Sequence, residues 1–133
     1  MAATNKPVPK AIYLCDVVTA HPVSQNIDLL GVFNLIRVPV GGMLPYTLAR
    51  MCVFVQLEDG AGDADLSVAV VSAATGQVAF HSRPYRVRFP NRLAVVSANI
   101  RMVDCRFPAA GEYWVELYCD GDLIGDRVVH VVV

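Results

Sequence analysis

Charge is scarce in this chain. Only 17% of its 133 residues are Asp, Glu, Lys or Arg, against about a quarter in an ordinary soluble domain. The 11 basic and 12 acidic residues leave a formal net charge of −1. That balance excludes a strong general attraction to nucleic acid or to an anionic membrane surface. Long apolar runs are missing too. Arg, Asp or Asn interrupts each one before the ~18–20 residues a membrane-spanning helix requires. The three histidines, His21, His81 and His130, form no HxH or HxxxH pair, so zinc chemistry has no local signature. Four cysteines, Cys15, Cys52, Cys105 and Cys119, contain no CxxC pair, which removes the zinc knuckle and the thioredoxin-type site. There is no G-x-S-x-G elbow, and nothing links a cysteine to a histidine in a nucleophile motif. Helical periodicity of useful length is absent.

These absences lead to the expectation of a protein that is not an enzyme, with no catalytic residues, no metal, no cofactor, no nucleic-acid partner and no membrane. The acidic clusters Asp59, Asp63, Asp65 and Asp120, Asp122, Asp126 lack the spacing of a calcium loop and read as Asp-Gly turn chemistry. Asp16, His21 and Asp28 form a polar island between apolar stretches, the one place where a concealed site is conceivable. Met1 to Lys10 is short and polar with no apolar signal region behind it, so the expected compartment is the cytoplasm. Free buried thiols fit that compartment. A Cys105–Cys119 bridge is the oxidised alternative.

What the chain has in abundance is apolar residues, 55% of the total. Such a composition implies either a rich core of small side chains or apolar surface hidden in an oligomer or under a partner. Residues 1–9 read as a flexible arm before a single domain over 10–133. Alternating stretches at Ala11–Thr19, Leu29–Val38, Arg50–Glu58, Asp65–Ser72, Gln77–Ser82 and Leu93–Val103 are separated by Gly, Pro and Asp clusters. Beyond Pro84 the fifth stretch is confined to a sheet edge. The closing segment, Gly111 to Val133, reads as a hairpin about Asp120-Gly121. About eight strands at this spacing predict an all-β, two-sheet antiparallel β-sandwich of immunoglobulin-like architecture, with a barrel as the alternative. Phe107-Pro-Ala-Ala-Gly-Glu-Tyr113 resembles the corner before a late strand of such domains.

The stretch Leu30-Gly-Val-Phe-Asn-Leu-Ile36 precedes a Pro-containing loop and an alternating strand. With Cys15-Asp16, Gly111-Glu-Tyr113 and the Asp120-Gly121 hairpin, it resembles a group of small uncharacterised bacterial all-β proteins. The resemblance covers most of the chain. It implies a fold and transfers no site.

Two constellations are candidates for binding. On the closing hairpin, alternation puts Tyr113, Val115, Leu117 and Cys119 on a core face and Trp114, Glu116 and Tyr118 on an outer face. A tight two-residue turn sets Arg127 opposite Trp114, and a slip to the next in-phase register sets it opposite Glu116. An aromatic pair with arginine is the mixture enriched at protein-binding hot spots. The expectation is a protein–protein interaction or structural module that binds a protein partner or a second copy of itself, with strand addition along Arg127–Val133 as one route. The second constellation is Arg83, Arg86, Arg88 and Arg92, whose guanidinium forks suit a small anion. A charged edge strand explains the same arginines.

Overall fold

The computed structural model describes residues 6–133 and contains strands, turns and no helix. Its eleven strands are β1 (Val8–Cys15), β2 (Val17–Ala20), β3 (Ile27–Leu30), β4 (Leu35–Arg37), β5 (Tyr46–Glu58), β6 (Gly62–Ser72), β7 (Val78–His81), β8 (Tyr85–Phe89), β9 (Val96–Phe107), β10 (Gly111–Cys119) and β11 (Asp122–Val132). A three-stranded sheet runs β1-β5-β9. A six-stranded sheet runs β4-β11-β10-β6-β7, with β8 also pairing β6. The two sheets pack face to face, as an immunoglobulin-like β-sandwich. Neither closes on itself, which removes the barrel.

Period-two alternation builds the core. Met51, Val53, Val55 and Leu57 of β5 are fully buried and meet Leu66, Val68 and Val70 of β6 and Val115 and Leu117 of β10 in one cluster. Ile12 and Leu14 add the β1 edge, and Ile100 and Met102 the β9 side. The corner before β10 is locked by Tyr113. Its hydroxyl donates to the Ala109 carbonyl at 2.7 Å and accepts from the Ala109 N–H at 3.3 Å. The ring packs edge-on against Phe107 at 5.0 Å. A tyrosine at the start of a late strand bonding back to the preceding corner is a hallmark of immunoglobulin-like sandwiches.

Three expectations need correction. The first two stretches each break in the middle, which raises the strand number above eight. Ala11–Thr19 splits at Asp16, and Leu29–Val38 splits at Gly31. Gly31 has a φ of +69°, and a Cβ there would run into the Asp16 carboxylate, so only glycine passes this point. The outer halves, β2 and β3, pair only with each other. Leu30 and Val32 are 53% and 55% exposed, while Ile36 and Val38, which alternation along one unbroken strand would put on the same face, are buried.

Pairing is also not wholly antiparallel, because β4 runs parallel to β11 from His130 to Val132. Finally, β1 starts at Val8, opposite Glu58, so residues 8–9 belong to the sheet and not to an arm. The rest of that expected arm reaches into residues 1–5, which lie outside the described residues. All four thiols are buried and free. Cys105 and Cys119 sit in different sheets. Pro84 separates β7 from β8 on the edge of the six-stranded sheet, as its lack of an N–H requires.

Candidate functional site

The outer face of the six-stranded sheet gathers most of the first constellation. Tyr113, Val115 and Leu117 point into the core, so Trp114, Glu116 and Tyr118 point out. Trp114 is 36% exposed. Its direct cross-strand neighbours are Val128 on β11 and Val71 on β6, and Val71 in turn faces Val78 on β7. The result is an apolar row across four strands with the only tryptophan inside it.

The next row is polar. Glu116 lies between Asp126 and Ala69, and Ala69 faces His81. Two carboxylates directly opposite each other oppose folding slightly. Among the described residues neither has a cationic partner. Tyr118 donates its hydroxyl to Glu116 Oε1 at 2.9 Å, and this bond holds the phenol protonated above its ordinary range. Between the rows lies a concavity of about 530 Å³, walled by Val71, Val78, His81, Glu116 and Tyr118.

Arg127 is not on this face. Cys119 pairs Asp122 and Tyr118 pairs Leu123, as the tight turn requires. Then Leu117 pairs Gly125, leaving Ile124 as an extra residue in β11. That bulge shifts the register by one, and a shift of one moves every later side chain to the other face. Arg127 therefore lies opposite Val115, not Trp114 or Glu116. Its Nε donates to the Ile12 carbonyl at 2.8 Å, and its guanidinium sits 5.8 Å from the centre of the Tyr13 ring. It bridges the open side of the sandwich, between β1 and β11. The end of β11 is not a free edge either, because β4 covers it.

The arginine segment is drawn into carboxylates of its own domain. Arg86 Nε bonds Asp65 Oδ1 at 2.7 Å, with Asp63 at 3.9 Å, and Asp65 pushes the guanidinium pKa up further. Arg92 Nε bonds Asp59 Oδ1 at 2.9 Å. Arg88 pairs in register with Asp63, and Arg83 lies in the kink between β7 and β8. Arg86 and Arg92 are thus held by local carboxylates, as on a charged edge. Asp16 and His21 stand at opposite ends of β2, about 16 Å apart at about 3.3 Å per residue. Asp28 pairs in register with Thr19 between them, so the three residues are spread along the β2–β3 ribbon. His21 Nδ1 is turned to the N–H groups of Val23 and Ser24 in its own turn. Among the described residues no three His, Cys, Asp or Glu side chains come together to hold a metal ion, and no helix is long and apolar enough to cross a membrane.

Sequence reasoning missed the apolar partners of Trp114. Val71 and Val78 are ordinary strand residues, and only the sheet order places them beside it.

Fold and corner define the class, a small all-β sandwich of immunoglobulin-like type. Within that class the chain belongs to DUF6941, a family of unknown function whose pattern matches residues 10–132. No curated protein matches it. Among solved structures, it is similar to an immunoglobulin-like protein from Pseudomonas aeruginosa, with 13% identity, 98% of this chain and 99% of that one covered, and a TM-score of 0.42. It is also similar to part of the Pseudomonas fluorescens alkylpurine DNA glycosylase AlkC bound to DNA containing an abasic site analogue. There the identity is 12% and the TM-score 0.47. The match takes 92% of this chain and spans only 30% of the glycosylase.

Proposed function

We propose that the chain is a non-enzymatic protein-interaction module, working through the outer face of the six-stranded sheet and able to bind a second copy of itself or another protein. The observation that carries this reading is the solvent-facing row of Trp114, Val71 and Val78, beside a concavity walled by Glu116 and Tyr118. Tryptophan in an apolar row with a polar border is the arrangement of an interface hot spot. The opposed carboxylates of Glu116 and Asp126 favour a partner that brings a lysine or arginine to that border. Burial of the four thiols supports a cytoplasmic setting for it.

Light scattering over a range of concentrations tests the reading directly. The wild-type chain should exceed its 14.4 kDa monomer mass as concentration rises, and Trp114→Glu should return it to the monomer. A chain that stays monomeric, and whose tagged form retains the same proteins with and without Trp114, overturns the proposal.

A further inference from the structure

Between β1 and β11 the sandwich leaves two strand edges facing an open groove. β4 covers only His130 to Val132 of β11. The segment then turns away. His130 N–H donates to Asn34 O at 3.0 Å, whereas Phe33 N–H donates to Leu14 O on β1 at 2.9 Å. From Leu123 to Val128, β11 therefore has β10 on one side and no strand on the other. Peptide groups two residues apart point the same way in an extended strand, so the N–H groups of Val128 and Asp126 face outward like that of His130. β1 is the outer strand of its own sheet. The groove between them measures about 650 Å³ and includes Tyr13, Val32, Phe33, Asp126, Arg127 and Val128 in its walls. That volume falls within the roughly 300–1,000 Å³ range of ligand pockets.

Arg127 marks what would fit. Its Nε is used on the Ile12 carbonyl and its guanidinium carbon sits over the Tyr13 ring, but among the described residues no carboxylate lies in ion-pair range of it. Its sequence neighbour Asp126 also lines the groove, but it pairs in register with Glu116 and makes no ion pair with Arg127. The terminal nitrogens of the guanidinium remain as a fork for an incoming carboxylate.

We propose that this groove accepts an extended peptide strand from a partner protein, laid on the free edge of β11 in line with β4, with an acidic side chain paired to Arg127. Main-chain bonds to β11 supply affinity and the carboxylate supplies selectivity, as in other cases of strand addition. The site lies across β11 from Trp114, sharing only Val128 with the apolar row, and does not rest on the outer-face reading.

The probe is a fluorescein-labelled heptapeptide, Val-Thr-Val-Glu-Val-Thr-Val, capped at both ends, with binding followed by fluorescence anisotropy. Saturable binding is expected, with the Val128 and Asp126 amides slowed in hydrogen exchange. Replacing the peptide's glutamate by glutamine should weaken binding about tenfold, the scale of a charge-assisted hydrogen bond. Arg127→Met should do the same, and methylating the peptide's backbone nitrogens should abolish binding. Trp114→Ala should bind like the wild type. The proposal is overturned if the wild type shows no saturable binding, if the glutamine peptide and Arg127→Met both bind unchanged, or if Trp114→Ala removes binding.

Discussion

The hydroxyl of Tyr113 closes on the backbone of Ala109, four residues earlier, both donating to its carbonyl and accepting from its N–H. One side chain thus fixes the chain's passage from the three-stranded sheet into the six-stranded one. The ring is 2% exposed, so no solvent replaces these bonds when the oxygen is removed. Tyr113→Phe should lower stability by about 2 kcal/mol, the range for losing a buried hydrogen bond while its partner stays buried. Urea unfolding should show the midpoint falling with an unchanged slope.

Gly60 is under a different constraint. A Cβ built there comes within 2.7 Å of three ring atoms of Phe89, which is itself 2% exposed and held in the core. No flexible end of a side chain is available to yield. Gly60→Ala should cost about 1–3 kcal/mol, as overpacking does, and thermal unfolding measures it. Gly76→Ala serves as a reference, since its added Cβ meets open space and only its φ of +73° opposes it.

The buried thiols predict a loss of stability at high pH. Burial pushes Cys105 up to about 12 and Cys119 up to about 11 from an ordinary 9.0. Below pH 9 both are protonated in the folded and the unfolded chain, and they leave the balance unchanged. Above it the unfolded thiols lose their protons while the folded ones keep them. Stability should then fall by about 1.4 kcal/mol per pH unit for each thiol, until its folded value is reached. Urea titrations at pH 8, 9.5 and 10.5 measure the slope, and Cys105→Ala should reduce it by the share of one thiol.

Much of the architecture is written locally. Alternation identifies Met51, Val53, Val55 and Leu57 as core, Pro84 marks an edge, and Phe107 to Tyr113 announces the corner. Two features are not local. The strand breaks at Asp16 and Gly31 lie against each other, so close that a Cβ on Gly31 would meet the Asp16 carboxylate, and no local window of sequence shows that approach. The bulge at Ile124 carries no distinctive residue of its own. At Gly125 beside it, a Cβ would meet Ile12 Cδ1 at 2.8 Å on the opposite sheet, so packing there favours a small residue. The outer position of Trp114, Glu116 and Tyr118 was therefore legible, and the position of Arg127 was not. Its place depends on a one-residue count that packing decides.

The β2–β3 ribbon has a consequence of a different kind. It pairs with neither sheet and gives no residue to the core cluster. Its neck is held where Asp16 N–H meets Leu30 O and Phe33 N–H meets Leu14 O. Lengthening a loop closed at its base costs only about 0.6 kcal/mol for each doubling. Descendants of this chain are therefore free to enlarge, shorten or rewrite residues 17–30 while the sandwich beneath keeps its packing. In evolutionary terms, the ribbon is where the fold can diversify at least cost.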